Sequence, residues 1–320
     1  IGSCGASFSI IGGTNAAAKN VISANDGYGV SLGCDGAHSN VIQGNYIGVD
    51  QLGTGPLPNV GVGIWLGSGA SNNLGGGMDT NALNSVAFNR SRGVGVYTGS
   101  GNSILGNSIK RNEHLGIDLG YDGVTANDAN DPDVGANLLQ NYPVLLSATN
   151  DGASVTVVGY LDSLSSRTFF VDVFGNRDPD LTGYGEGEYW MGRVAVKTPA
   201  GGTVGFTTAV SVAAGTPNFI TAMATETNRG DTSEFSLRLL LDSDGDGMGD
   251  GFEFEYYGHH TGADPAGDDD FDGVDNLGEF RAETDPWSAS SCLRITQLWR
   301  EWWGDWYFTA QTSDCRDYSI

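Results

Sequence analysis

The sequence has few basic residues and no long apolar run. Only 15 lysines and arginines stand against 39 aspartates and glutamates, so the formal net charge is −24. Nucleic acids are bound through clustered lysine and arginine, and this balance therefore argues against a nucleic-acid partner. No stretch approaches the roughly 18–20 apolar residues that a membrane helix needs, so we expect no transmembrane segment.

A signal peptide is also lacking at the start of the sequence. Residues 1–5 have neither the basic residues nor the apolar stretch that such a peptide requires. We therefore expect the sequence to be a mature or trimmed product.

Cysteine is scarce, and the four cysteines form two widely separated sets without the Cys-x-x-Cys spacing of a metal site. We predict one disulfide between Cys4 and Cys34 and another between Cys292 and Cys315, with buried free thiols as the alternative. Disulfides persist in oxidising compartments, so this pairing predicts a secreted, extracellular protein.

Glycine, in contrast, is abundant. The 320 residues include 50 glycines, many asparagines and 39% hydrophobic residues. This composition is typical of a globular, turn-rich, all-β chain that is long enough for two or three domains.

The first ~120 residues contain a loose internal repeat with a period of about twenty residues. Each unit consists of two very short apolar strands separated by asparagine and glycine corners. A single unit cannot bury its apolar face, so the units are expected to stack into a solenoid, with equivalent asparagines forming a ladder. The units are residues 20–25 with 29–32, 40–48 with 63–66, 84–89 with 93–96, and 102–109 with 116–119.

This repeat resembles the right-handed parallel β-helix repeats of the pectate-lyase-like superfamily. A leucine-rich repeat fits less well, since no helix-forming segment separates the strands. The resemblance implies a parallel β-helix over residues 1–135, closed by a cap loop after Leu119. Within that loop, Asp122, Asp128, Asp131 and Asp133 either hold a third Ca²⁺ or serve ordinary turn chemistry.

Residues 136–241 have the period-two alternation and turn punctuation of an Ig-like β-sandwich. The order of an asparagine-rich β-helix followed by a sandwich resembles a module of large bacterial or archaeal surface and secreted proteins, and it implies architecture rather than an activity. The seven predicted strands are residues 144–149, 154–160, 168–174, 188–197, 203–210, 219–226 and 234–240.

Two acidic loops follow, at residues 242–253 and 268–279. Each has oxygen-bearing side chains at positions 1, 3, 5, 9 and 12 and glycine at position 6, which is the spacing of an EF-hand-type Ca²⁺ loop. The alternative, a solvated acidic linker, requires neither the glycine nor the glutamate. The predicted ligands are Asp242, Asp244, Asp246, the Met248 carbonyl, Asp250 and Glu253 in the first loop, and Asp268, Asp270, Asp272, the Val274 carbonyl, Asn276 and Glu279 in the second.

The segment 242–287 contributes most of the negative charge. Residues 242–285 contain 15 acidic residues and one basic residue, Arg281. Because a strand rather than a helix is expected before the first loop, the segment resembles thrombospondin type 3 repeats. Dockerin loops usually end in aspartate, unlike Glu253 and Glu279. The resemblance implies a structural clamp that is stabilised by two calcium ions, not a sensor.

The tail at residues 288–320 is rich in tryptophan and is expected to form a hairpin closed by Cys292 and Cys315. Four indoles are too many for a lone hairpin to bury, so they are expected to dock within the chain, at a subunit interface or on a sugar. The predicted interface residues are Trp299, Trp302, Trp303 and Trp306.

The sequence contains few residues that could form a catalytic site. Glycoside hydrolysis needs two carboxyl groups facing one groove at ~5–9.5 Å, and no two carboxylates occupy matching positions in successive coils. The best candidate group is Arg111, His114 and Asp118. We expect no catalytic site.

The sequence as a whole predicts an all-β, extracellular calcium-binding structural protein that acts in adhesion or assembles into a surface filament. A carbohydrate-binding or polysaccharide-degrading β-helix is the alternative. Expected partners are a second copy, another surface protein or a glycan. The first coil has little cap, which predicts head-to-tail assembly through its strand edges unless residue 1 is a boundary with a cap upstream.

Overall fold

The computed structural model describes residues 1–34, 36–79, 81–212 and 216–291, and the backbone of strands at 294–300, 306–311 and 317–319. The chain forms two compact units, Ile1–Leu240 and Leu241–Ile320. Among the described residues, none of the helices has the length and apolarity to cross a membrane. The predicted division into segments 1–135, 136–241, 242–287 and 288–320 stays a prediction.

The first half of unit 1 is a parallel β-helix, and the predicted all-β fold is confirmed. The chain passes through three parallel sheets in turn, with strand orders β1-β4-β7-β10-β13, β11-β8-β5-β2 and β12-β9-β6-β3. The strands are β1 Gly2–Cys4, β2 Ile10–Gly12, β3 Val21–Ile22, β4 Val30–Gly33, β5 Val41–Gln43, β6 Tyr46–Ile47, β7 Ile64–Leu66, β8 Leu74–Gly76, β9 Ser85–Ala87, β10 Val94–Val96, β11 Ser103–Leu105, β12 Ser108–Lys110 and β13 Ile117–Leu119.

The first four coils have three strands each and the fifth has β13 alone, so the predicted two-strand unit and its period were wrong. Successive coils begin at residues 2, 30, 64, 94 and 117. The sequence pattern missed β1, β2 and β8, because all three are short, glycine-containing strands without a long apolar run.

The β-helix core consists of aligned apolar columns. Val30, Ile64, Val94 and Ile117 are in parallel register from coil to coil, and all four are buried. Each fully buried aliphatic side chain contributes roughly 1.5–3 kcal/mol relative to exposure. Cys4 and Cys34 form the predicted disulfide, which joins the first coil to the second.

Asparagine ladders run parallel to these columns, as predicted. In each ladder an amide Nδ2 donates to the amide Oδ1 of the next coil, so buried polar groups of adjacent coils satisfy one another. The three ladders are Asn40–Asn73–Asn102, Asn20–Asn45–Asn84–Asn107 and Asn25–Asn59–Asn89–Asn112.

The second half of unit 1 is a β-sandwich of two antiparallel sheets, β14-β15-β18 and β17-β16-β19-β20. Its first, second and fifth strands share one sheet, as in an Ig-like sandwich. The strands are β14 Val144–Asn150, β15 Ser154–Asp162, β16 Thr168–Asn176, β17 Tyr189–Lys197, β18 Thr203–Ser211, β19 Phe219–Glu226 and β20 Leu239–Leu240.

The last sandwich strand is shorter than predicted, because residues 231–236 cap the β-helix instead. Oδ1 of Asp231 accepts a hydrogen bond from the Gly101 N–H (2.6 Å), and Oε1 of Glu234 accepts one from the Leu119 N–H (2.8 Å). Phe235 packs into the same core as the β-helix columns. The cap is therefore supplied largely by the sandwich, not by the loop after Leu119 alone.

The described residues of unit 2 form two short helices, α1 Asp250–Tyr257 and α2 Asn276–Ala282, and three strands, β21 Arg294–Arg300, β22 Trp306–Gln311 and β23 Asp317–Ser319. β21 and β22 pair as the hairpin expected of the tail. Cys292, Cys315, Trp302 and Trp303 lie outside the described residues, as do the side chains of Trp299 and Trp306. The second disulfide and the tryptophan interface stay predictions.

Candidate metal centres

The first acidic loop gathers three carboxylates. One oxygen each of Asp242, Asp244 and Asp246 lies within 4.8 Å of the others. Backbone donors hold these side chains in place: the Gly247 N–H donates to Oδ2 of Asp242 (2.9 Å) and the Met248 N–H to Oδ1 of Asp246 (2.8 Å). Gly247 has φ +95°, a left-handed conformation that favours glycine.

The second loop repeats this arrangement with Asp268, Asp270 and Asp272, whose oxygens also lie within 4.8 Å of one another. The Gly273 N–H donates to Oδ2 of Asp268 (3.1 Å), and the Val274 N–H donates to Oδ1 of Asp272 (2.8 Å). Gly273 has φ +95° as well. Hydrogen bonds at the same loop positions show that the two segments adopt the same loop conformation.

The closing glutamates are buried without enough hydrogen-bond partners. Glu253 is 0% exposed and Glu279 is 1% exposed. Oε1 of Glu253 accepts a bond from the Ala263 N–H (3.2 Å), whereas Oε2 has no partner. Neither oxygen of Glu279 has one. Burying an ionised carboxylate without a partner is costly, so these oxygens require a proton or a cation.

The electrostatics of both loops follow from this crowding. Burial, reinforced by the charges of Asp244, Asp246 and Asp250, raises the pKa of Glu253 to about 7. Burial also raises the pKa of Glu279 to about 7, with the surrounding aspartates adding to the shift. A divalent cation at either loop would favour the ionised carboxylates instead.

Position 9 differs between the loops. Both oxygens of Asp250 accept hydrogen bonds from Ser243, one from its N–H (2.7 Å) and one from its hydroxyl (2.8 Å). A direct bond from Asp250 to an ion would therefore share an oxygen with Ser243. Asn276 donates to the Asp264 carbonyl (2.8 Å), while its buried Oδ1 has no partner. The Asn276 side chain is thus the better placed of the two for an ion.

One part of the first site was missed from the sequence. The Gly262 N–H donates to Oδ2 of Asp244 (2.7 Å), so the turn after α1 folds back over the loop beside Glu253. Residues 262–263 have no side chain that signals this role. The small core below, Met248, Phe252 and Ala263, holds the turn in place.

The aspartates of the cap loop form a third group. Oxygens of Asp128, Asp131 and Asp133 lie within 4.8 Å of one another. Asp131 is buried, and burial raises its pKa to about 6. Asp122, which was considered with them, is exposed and does not belong to the group.

The candidate catalytic residues have other partners. Arg111 forms an ion pair with Asp178 of the sandwich. Asp118 is buried and pairs with Arg92, whose Nε lies 2.7 Å from its Oδ2. His114 is exposed.

The three aspartate groups could each hold a metal ion. A comparison with models of known protein families finds no match for the chain.

Proposed function

We propose that this chain is an extracellular calcium-binding structural protein whose unit 2 is built around two Ca²⁺ ions. The observation that carries the proposal is the pair of buried glutamates at loop position 12, with three oxygens that accept no hydrogen bond. A glutamate that binds one Ca²⁺ with both oxygens would meet this need.

Calcium fits these loops better than other common metals. All the predicted ligands are oxygens, which suit Ca²⁺ and Mg²⁺ rather than Zn²⁺. Mg²⁺ demands near-ideal octahedral geometry and retains several waters, whereas Ca²⁺ accepts six to eight oxygens, including a bidentate glutamate. The loops thus favour calcium.

A structural role fits better than a sensor role. A strand, Leu239–Leu240, precedes the first loop, and residues 258–275, which include the start of the second loop, contain no helix. Sensor EF-hands respond to calcium by changing the angle between an entering and an exiting helix. Loops without entering helices resemble thrombospondin type 3 repeats and support a clamp.

The extracellular assignment rests on the disulfide between Cys4 and Cys34. Such bonds persist in oxidising compartments. Extracellular calcium modules bind with Kd values of about 10⁻⁴–10⁻³ M, so sites of this kind would be filled at the calcium concentration outside cells.

The first coil is the surface through which we propose adhesion or filament assembly. β1, β2 and β3 each lie at the end of their sheet, and Phe8 and Ile10 are 75% and 70% exposed. Strand edges with exposed apolar side chains favour pairing, either with another chain or with a coil upstream of residue 1. Electron microscopy with calcium and with EGTA tests this, and monodisperse monomers in calcium would contradict it.

The calcium proposal is tested by equilibrium dialysis of two variants, Glu253→Gln and Glu279→Gln. Each should weaken one site by at least about tenfold, equivalent to ~1.4 kcal/mol. The matched control is Glu255→Gln, an exposed glutamate of α1 that lies two residues from Glu253. Unchanged affinity and stoichiometry in both variants would refute the ligand assignment.

Glycan binding is the second candidate, favoured by an aromatic stack on the β-helix. Trp65 stacks on Tyr28 (5.3 Å between ring centroids) and on Tyr97 (5.5 Å). Exposed aromatic surface of this kind marks binding sites. Loss of polysaccharide retention in Trp65→Ala, with retention kept in Trp190→Ala on the sandwich, would favour this function.

A further inference from the structure

The cap loop is fixed between the last coil of the β-helix and the sandwich. The Thr125 N–H donates to Oε2 of Glu234 (2.9 Å). Nδ2 of Asn141 donates both to the Asp128 carbonyl (2.7 Å) and to the Asp162 carbonyl at the end of β15 (2.8 Å). Asp131 accepts a hydrogen bond from the Ser163 hydroxyl. The loop therefore presents its aspartates from a rigid support.

The spacing of these aspartates suits a single ion. Ca²⁺–oxygen bonds measure about 2.3–2.6 Å, so two ligand oxygens on one ion are at most ~5 Å apart. The oxygens of Asp128, Asp131 and Asp133 lie within 4.8 Å of one another and satisfy that limit. In the described part of the chain, no lysine or arginine forms an ion pair with any of the three.

A separate observation points to a missing ligand beside them. Oδ1 of Asp128 and Oδ1 of Asp133 are buried and accept no hydrogen bond. Asp131 and Asp133 line a cavity of about 220 Å³ whose wall also includes Asp231. Asp231 is 1% exposed, and its Oδ2 has no hydrogen-bond partner.

Arg229 also lines this cavity. Its charge lowers the pKa of Asp231, although burial raises that pKa more. Among the described residues, Arg229 forms no ion pair with Asp128 or Asp133.

We propose that Asp128, Asp131 and Asp133 form a third Ca²⁺ site, which pins the cap loop to the sandwich. The site extends the proposed function to unit 1, but it shares no residue with the acidic loops. Either proposal can therefore fail without the other.

Equilibrium dialysis of the full chain with Ca²⁺ tests the site. The wild-type protein should bind three ions, and the double variant Asp128→Asn/Asp133→Asn should bind two. Asp122→Asn, an exposed aspartate of the same loop, is the matched control and should still bind three. A double variant that binds as many ions as the wild type would overturn the site, whatever number of ions the acidic loops bind.

Hydrogen exchange of the wild-type protein gives an answer even if the double variant does not fold. Chelation should increase exchange of the Asp128 and Asn130 amides, which donate to Asn141 (3.1 Å) and Asp162 (3.3 Å). Unchanged exchange at both amides would reject the site. In Glu253→Gln/Glu279→Gln, where the acidic loops are weakened, the calcium response of these amides should persist.

Discussion

Two buried glutamates, one in each unit, differ in the hydrogen-bond partners that the protein gives their side chains. Glu234 of unit 1 accepts hydrogen bonds from the Leu119 N–H (2.8 Å) and the Thr125 N–H (2.9 Å). Glu279 of unit 2 is equally buried, yet neither of its oxygens has a partner. The protein supplies hydrogen-bond donors to Glu234, although burial still raises the pKa of this glutamate to about 8. Glu279 has no donor and requires a proton or a cation from solution.

The asparagine ladders of the β-helix and the carboxylates of the acidic loops also differ in how their hydrogen bonds can be satisfied. An asparagine amide carries donors and an acceptor, so identical residues in successive coils can satisfy one another. An ionised carboxylate only accepts, so a group of carboxylates cannot do so and needs protons or cations. The asparagine ladders therefore need no proton or cation from solution, whereas the carboxylates of the acidic loops do.

The two units also differ in the number of apolar residues that they bury. The core of unit 1 includes twenty buried residues that run through the β-helix and the sandwich. Among residues 241–291, whose side chains the structure describes, the core beneath the acidic loops has three buried residues, Met248, Phe252 and Ala263, with four partly buried residues around them. So small a core supplies little stability, and bound ions are expected to supply much of the rest.

Removal of calcium should therefore have the largest effect, and it should be confined mainly to the acidic loops. At a calcium concentration of about 100 times Kd, binding adds ~2.7 kcal/mol per site. We expect EGTA to raise the rate of proteolysis at residues 258–267 by about 100-fold. Limited proteolysis with mass-spectrometric mapping of the cleavage sites measures this.

The internal control is the turn between β14 and β15. There Asp151 accepts hydrogen bonds from the Ala153 N–H (2.9 Å) and the Ser154 N–H (2.7 Å), and no predicted calcium ligand is involved. Cleavage at this turn should be the same with and without EGTA. Equal cleavage at 258–267 under both conditions would remove the contrast between the units.

Breaking a ladder should have the next largest effect, this time in unit 1 and independent of calcium. Asn89 accepts from Nδ2 of Asn59 (2.9 Å) and donates to Oδ1 of Asn112 (2.9 Å). Asn89→Ala removes one hydrogen bond from each of these two groups. Nδ2 of Asn59 still donates to the Ile22 carbonyl (3.0 Å), and Oδ1 of Asn112 still accepts from the backbone N–H of residue 89 (3.1 Å). We therefore expect a loss of about 2 kcal/mol. Urea unfolding measures it.

The matched control is Asn81→Ala, an exposed asparagine in the turn between β8 and β9. Its replacement should change the free energy of unfolding by less than about 0.5 kcal/mol. Similar losses in the two variants would mean that the ladder adds nothing specific to the β-helix.

The sequence predicted the sandwich well, because alternation is a local signal. The first six predicted strands agree with the observed strands to within two residues at either end. The seventh does not, since the residues from Glu234 onward are drawn to the β-helix end by contacts between distant parts of the chain. Contacts between distant parts of the chain produce no periodic pattern in the sequence. The three-strand coil was missed for a related reason, because glycine-rich strands such as Leu74–Gly76 show little alternation.

The acidic loops were predicted from the spacing of their residues, because all the ligands of one loop lie within twelve consecutive positions of the sequence. The equivalent hydrogen bonds at Gly247 and Gly273 agree with that prediction of similar loops. The turn at Gly262 could not be predicted, since its backbone contribution does not depend on a particular side chain. Likewise, no pattern showed that Asp128, Asp131 and Asp133 converge while Asp122 does not.

A smaller effect is expected where a carboxylate ends a ladder. Nδ2 of Asn112 donates to Oε1 of Glu186 (2.8 Å), so this buried glutamate takes the place of a further asparagine. Burial, with the nearby charge of Asp180 adding to the shift, raises the pKa of Glu186 to about 8. The folded state then binds the proton more tightly than the unfolded state. The stability from this proton is full below the unfolded pKa of ~4.3 and is lost as the pH rises towards 8.

The Glu186→Gln variant isolates that loss, because glutamine keeps the acceptor oxygen and cannot ionise. Between pH 6 and pH 7 the wild-type protein should lose about 1 kcal/mol more of its unfolding free energy than the variant. Urea unfolding at the two pH values, with EGTA present so that calcium binding does not contribute, measures the difference. Parallel pH profiles would show that Glu186 is ionised in the folded protein at both pH values. The ladder would then end on a charge held by N–H donors alone, and the contrast with Glu279 would rest on hydrogen bonds rather than on protonation.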